Sequence, residues 1–271
     1  MFDKNTFNNK IALVTGGRSG IGYAISKQLL SLGAKVIITS RKEELLEKAA
    51  EKLKEYGEIT HLACDIRETE KIQILAEHIK NSYGSLDILI NNAGGQFPAL
   101  AETINDKGWS AVINNNLNGT FFMTREMANT FFIPQKKGII VNIIADMFRG
   151  FPGMIHTGAA RAGVENMTKT LAQEWSDYNI RINCVAPGIV DSSGLDTYPP
   201  PIQAMFEEAK KAIPMHRFAK EEEVSNAVCF YASDLSSYTT GTTLYVDGAQ
   251  HLNYDKMGLV NVMKSFMNPK K

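Results

Sequence analysis

Cysteine is scarce in this chain of 271 residues, and the three present, Cys64, Cys184 and Cys229, are far apart and form no C-x-x-C pair. That pattern argues against a disulfide framework or a cysteine-held zinc, and it fits a reducing compartment, with the cytoplasm as the expected location. An excess of either charge is also missing. The 29 Lys and Arg balance the 29 Asp and Glu, so no net field draws the chain to nucleic acid or to an acidic lipid surface. No apolar run reaches the length of a membrane span, and the Asn-rich stretch Met1 to Lys10 lacks the apolar core of a secretory signal. The end Pro269-Lys270-Lys271 is not a Ser-Lys-Leu address. Neither nucleic acid, membrane nor metal is expected as a partner.

What is present is an ordinary globular composition, 44% hydrophobic and 21% charged. A chain of this length can bury one large core, and one domain over residues 1–271 is expected. Short β-branched runs alternate with helix-period segments: Ile11 to Val14 then Ile21 to Leu32, Val36 to Thr39 then Lys42 to Tyr56, Ile59 to Leu62 then Thr69 to Tyr83. The rhythm continues through strands at Leu86 to Ile90, Ile139 to Ile143, Ile180 to Val185 and Thr243 to Val246. Long helices fall between them, at about Lys107 to Phe132 and Thr157 to Asp177. Repeated βαβ units of this kind predict an α/β fold, a Rossmann-type doubly wound parallel sheet. A Gly/Ser/Pro-rich segment at about 190–216 reads as a substrate lid, and about 249–271 as a C-terminal tail.

The first strand runs into Thr15-Gly16-Gly17-Arg18-Ser19-Gly20-Ile21-Gly22 and then into a helix, the context in which a Gly-rich turn presents backbone N–H groups to a pyrophosphate. Gly16, Arg18, Ser19, Gly20 and Ile21 are therefore candidate cofactor contacts. The second strand ends Thr39-Ser40-Arg41, with no acid to accept a bond from a ribose 2'-hydroxyl, whereas Ser40, Arg41 and Arg18 suit a 2'-phosphate. NADP(H) is the expected cofactor.

With these residues and those that follow, the chain resembles the short-chain dehydrogenase/reductase family over nearly its whole length. Asn91-Asn92-Ala93-Gly94 matches the signature after the fourth strand, and Asn116 the family's helix asparagine. The resemblance implies an adenine contact at Asp65 with Ile66 beside it, cofactor contacts at Asn92, Ala93 and Gly94, and a carboxamide-side contact at Pro187 and Gly188. It also implies a homotetramer.

The family's catalytic Tyr-x-x-x-Lys is absent. Alignment on Ala162-Gly163-Val164 puts Arg161 at the lysine position, Thr157 at the tyrosine position and Ile144 near the serine position. Threonine is a far weaker acid than tyrosine, and arginine holds a charge without sharing its proton, so ordinary carbonyl reduction loses its acid. Lys169 lies too far along the helix to substitute and is expected to pair with Glu165 one turn away.

Gly94-Gly95-Gln96-Phe97, Lys107-Gly108-Trp109, Val141-Asn142-Ile143-Ile144 and the stretch from His156 to Val164 look like the trans-2-enoyl-CoA reductases of the peroxisomal type. This narrower resemblance implies an acyl thioester or related conjugated carbonyl as substrate, with Asn116, Thr157 and Arg161 as catalytic residues and Arg161 also on the nicotinamide ribose. Reducing an activated C=C bond puts negative charge on the thioester oxygen, which calls for oxyanion donors. The proton for carbon is left to ordered water, Asp146 or His156. Two alternatives stay open: an NADP-dependent alcohol or carbonyl oxidoreductase with an unusual site, and an NADP-binding protein without catalysis.

Overall fold

In β1 (Ile11–Thr15) every residue is buried, as a central parallel strand covered on both faces requires. The computed structural model describes residues 2–192, 195 and 205–252. Strand β1 turns into α1 (Gly20–Ser31), then β2 (Lys35–Ser40), α2 (Glu43–Leu53), β3 (Ile59–Ala63) and α3 (Thr69–Tyr83). The chain then crosses to the other side of β1 with β4 (Ile88–Asn91), β5 (Gly138–Ile143), β6 (Ile180–Pro187) and β9 (Thr243–Val246). The sheet order is β3-β2-β1-β4-β5-β6-β9, and each of these pairings is parallel. The order reverses at β1, which pairs with both β2 and β4, and a ligand crevice forms outside the carboxyl ends of strands at such a point.

The α/β doubly wound reading therefore stands. One buried cluster, with Ile25, Leu29, Leu46 and Val228, packs on one face of the sheet, and another, with Leu75, Ile79, Met123 and Phe132, on the other. Strand β4 begins two residues later than its apolar run, because Asp87 is engaged otherwise. Its N–H donates to Ile11 O at 2.9 Å and its carboxylate accepts the Ile11 N–H at 3.0 Å.

The long helix expected after β4 is interrupted. It starts as α4 (Asp106–Ile113), widens into a π turn over Asn114–Asn118, and resumes as α5 (Gly119–Met127). A second π turn at Ala128–Phe132 leads to α6 (Ile133–Gln135). Helix α7 (Ile155–Glu174) follows β5. A small pair, β7 (Val190–Asp191) with β8 (Ala219–Lys220), brackets the lid region. Of that lid, residues 193–194 and 196–204 lie outside the described residues, as do 253–271 of the tail. No helix among the described residues is long and apolar enough to cross a membrane.

Candidate active site

The Gly-rich turn is tied to the switch point by Asn92. Its side-chain amide donates to Thr15 O at 3.0 Å and Gly16 O at 3.3 Å, while Thr15 Oγ1 accepts the N–H groups of Asn92 and Ala93 at 3.0 and 2.9 Å. A Cβ on Gly22 would stand 2.4 Å from both the Asn92 amide nitrogen and Gly16 O, so only glycine lets the first turn of α1 come this close. Gly16 and Gly20 adopt φ of 68° and 60°. The Ser19 side chain makes no capping bond, which leaves it and the first N–H groups of α1 for an anion.

At the end of β2, Ser40 Oγ is buried and has no hydrogen-bond partner. Arg41 follows it, exposed, and near enough to Asp65 to act on its charge. A hydroxyl with no partner among the described residues beside an exposed guanidinium, on a strand end that carries no carboxylate, fits a phosphate on the adenosine ribose. Asp65 is itself engaged: the Arg67 guanidinium donates to it from Nε at 2.9 Å and holds its carboxyl below the usual carboxylate range.

Across the crevice, Arg161 is buried on α7 at 8% exposure, with no ion-pair or hydrogen-bond partner among the described residues. Burial pushes its pKa down to about 10, so it keeps its charge at neutral pH. It does not pair with Glu165, which instead binds Lys169 at 3.1 Å and the Thr243 hydroxyl at 3.1 Å. An uncompensated buried cation is costly unless a ligand supplies the anion.

Asn116 lies in the first π turn, and its two amide protons are committed to Gly95 O at 2.7 Å and Val112 O at 2.9 Å, while its oxygen accepts the Gly95 N–H at 3.2 Å. It can shape the loop after β4 but has no proton left for a substrate oxygen. Thr157 is fully buried in the first turn of α7, three residues past the N-cap Met154. Its N–H donates to His156 Nδ1 at 2.8 Å, and its hydroxyl lies within hydrogen-bond distance of the same nitrogen at 3.3 Å. The His156 Nε2 is buried with no hydrogen-bond partner among the described residues, and the ring meets Phe97 edge-on at 4.5 Å. Burial lowers the His156 pKa and favours the neutral ring.

Asp146, on the loop after β5, is half-buried, and its N–H donates to Pro187 O at 3.0 Å. Burial is the main cause that raises its pKa, and the nearby charge of Asp247 adds to it. Sequence reasoning missed Asp247. It directly follows the last strand, so a count of strand ends would have put it at the same edge as Asp146.

The family model described as Enoyl-(Acyl carrier protein) reductase matches residues 16–251. A probable 2,4-dienoyl-CoA reductase of Bacillus subtilis is 35% identical over 90% of this chain and 97% of its own length. The 3-oxoacyl-[acyl-carrier-protein] reductase FabG of Thermotoga maritima is 38% identical over 88% of this chain and 96% of its own. Among solved structures, the citronellol catabolism dehydrogenase AtuB of Pseudomonas aeruginosa superposes with a TM-score of 0.83 at 38% identity, covering 93% of this chain and 98% of that one.

Proposed function

Because the chain belongs to the short-chain dehydrogenase/reductase family, whose members use a nicotinamide cofactor, we propose that it is an NADPH-dependent reductase of a conjugated acyl thioester, a 2-enoyl- or 2,4-dienoyl-CoA. The observation that carries this reading is the buried Arg161 without an anionic partner, on a helix that has lost the family's tyrosine and lysine. NADP(H) would be held by the α1 N-terminus, by Asn92 to Gly94 and Pro187-Gly188, and by Ser40 and Arg41 at its 2'-phosphate. When bound, the reduced nicotinamide supplies a hydride to the far end of the conjugated system.

The chain's own groups then manage charge and proton. Arg161 sets its guanidinium beside the position where the thioester oxygen becomes an enolate, and the Thr157 hydroxyl donates to the same oxygen. Asn116 fixes the Gly94-Gly95 backbone against Arg161 and acts as a positioning residue. Asp146, whose pKa is raised by burial and by the charge of Asp247, supplies the proton that the enolate carbon takes, directly or through one water. A hydroxyl product would need an acid at the alkoxide, and Thr157 is too weak for that task. The family resemblance supports a homotetramer, and the three free cysteines fit a reducing cytoplasm.

Deuterium at the transferring position of NADPH tests this. Incubation with medium-chain 2-enoyl- and 2,4-dienoyl-CoA should leave one deuterium on an acyl chain that has lost a double bond. Label that appears only in a 3-hydroxyacyl product from 3-oxoacyl-CoA would establish the carbonyl alternative instead.

A further inference from the structure

Among the described residues, three buried side-chain polar atoms have no hydrogen-bond partner: Ser40 Oγ, His156 Nε2 and Gln250 Oε1. Burying such an atom unpaired is costly, so each calls for a partner that the folded chain does not supply. The three share one edge of the molecule. Ser40 is the last residue of β2, His156 lies in the first turn of the helix that follows β5, and Gln250 comes four residues after β9. That edge is the carboxyl end of the sheet, where the crevice of a doubly wound fold binds its ligand. Strands β2 and β9 lie on opposite sides of the switch point at β1. A dinucleotide laid across such a point has one half on each side, which pairs Ser40 with the adenosine half and Gln250 with the nicotinamide half.

The chain after β9 holds Gln250 in one place. Gly248 and Ala249 both take left-handed φ, 63° and 67°. For Ala249 that conformation carries strain, which persists only where surrounding contacts fix it. Asp247 provides them: its carbonyl accepts the Gln250 N–H at 3.1 Å, Oδ1 the Ala249 N–H at 3.0 Å and Oδ2 the His251 N–H at 2.8 Å. Arg149 ties the end of the turn by donating to Leu252 O at 2.9 Å. The resulting 3₁₀ turn, Gln250–Leu252, sets Gln250 Oε1 against Gly188, where a Cβ would stand 3.2 Å from that oxygen and 2.9 Å from Cα and Cβ of Asp247.

The end of β6 has committed several of its own polar groups to the fold. Pro187 O accepts the Asp146 N–H at 3.0 Å, Gly188 N–H donates to Val246 O at 3.1 Å, and Ile189 O accepts the Ala219 N–H at 3.0 Å. Gln250 Oε1 is the buried side-chain acceptor beside them that still lacks a donor. An amide oxygen can only accept, so its partner must bring an N–H or O–H group. The reacting end of an acyl thioester has neither, whereas the carboxamide of a nicotinamide has two N–H groups. We propose that Gln250 is a cofactor-binding residue: its Oε1 accepts an N–H of the nicotinamide carboxamide, and this bond sets how the ring is turned in the crevice. The inference rests on the NADP(H) assignment above and adds a side-chain contact for the nicotinamide half.

The 3-acetylpyridine analogue of NADP+ tests this by binding alone, because it keeps the carbonyl on the ring and replaces the amino group with a methyl. In a calorimetric titration the wild type should bind NADP+ about tenfold more tightly than the analogue, the effect of leaving a buried acceptor without its donor. In Gln250→Met, a chain of similar length without the acceptor, affinity for NADP+ should fall about tenfold and that for the analogue stay level, so that the gap closes. Gln250→Glu keeps an acceptor oxygen and should keep most of the gap. Without ligand, Gln250→Met should melt no lower than the wild type, since the unpartnered acceptor is gone. A wild type that binds both dinucleotides equally, a gap that persists in Gln250→Met, or an equal loss of both there would overturn the inference. A wild type that binds NADP+ yet reduces no thioester would sink the reductase reading alone, since the binding comparison still judges Gln250.

Discussion

The Arg161 guanidinium packs so closely against Gly94 that a Cβ there would stand 2.3 Å from its terminal nitrogen and 2.7 Å from Asn116 Oδ1. Glycine at this place lets a charged side chain from α7 reach under the loop after β4. Gly94→Ala should therefore displace a side-chain tip more than it damages the core. The expected result is a loss of kcat of about tenfold or more, as for a catalytic group moved by about 1 Å, with Tm lowered by only a few degrees. Steady-state kinetics beside a thermal melt would check the split.

Arg161→Met separates function from stability. Losing an oxyanion-stabilising group costs about 10²- to 10³-fold in kcat. Removing a buried, unpaired charge in favour of an apolar chain of similar length should leave Tm equal to the wild type or higher. A variant that loses activity because it unfolds would speak against this role.

The cofactor preference should rest on the end of β2. In the double variant Ser40→Ala, Arg41→Ala, kcat/KM for NADPH is expected to fall about 10- to 100-fold, the range for losing charge-assisted bonds to one phosphate, while the value for NADH stays nearly level. Equal losses with both cofactors would mean that the 2'-phosphate is not read there.

The pH dependence follows from Asp146. Burial, then the charge of Asp247, raise its pKa, so the protonated form persists to higher pH than for a free carboxyl. Activity that needs this acid is flat at lower pH and falls as pH rises through the raised value. The stability sign is separate: the folded state binds this proton more tightly than the unfolded state, so ionisation at higher pH opposes folding. Asp146→Asn should thus lose the alkaline limb along with most activity, yet melt no lower than the wild type above neutral pH.

Behind the site, a buried polar chain crosses the sheet. The Asn91 amide donates to Thr124 Oγ1 and to Asn142 Oδ1, both at 2.8 Å, and the Asn142 amide donates to Thr168 Oγ1 at 2.8 Å. Asn142→Ala leaves two buried groups unsatisfied and should cost about 2 kcal/mol, or about 4–8 °C in Tm.

Much of this architecture was legible in the sequence because its signals are periodic and local. Alternating β-branched runs and helix-period segments gave the sheet, and the Gly-rich turn after Ile11 to Val14 marked the loop that joins β1 to α1. The Glu165 to Lys169 pair formed as its spacing predicts. What stayed hidden depends on tertiary neighbours. The π turn that aims Asn116 at Gly95 leaves no mark in apolar periodicity, and it spends the amide protons that the residue seemed free to offer. Asp247 lies 101 residues from Asp146, and only the β5-β6-β9 order makes them neighbours. The solitary state of Arg161 follows from Glu165 turning to Lys169, as expected, and also to the Thr243 hydroxyl, a contact across 78 residues that local spacing does not show.

The most direct measurement is the ratio of kcat/KM with NADPH for a 2,4-dienoyl- or 2-enoyl-CoA against a 3-oxoacyl-CoA of the same chain length, in the wild type and in Arg161→Met. The account predicts a ratio far above one in the wild type that collapses in the variant. A ratio below one, or one that Arg161→Met leaves unchanged, would contradict it.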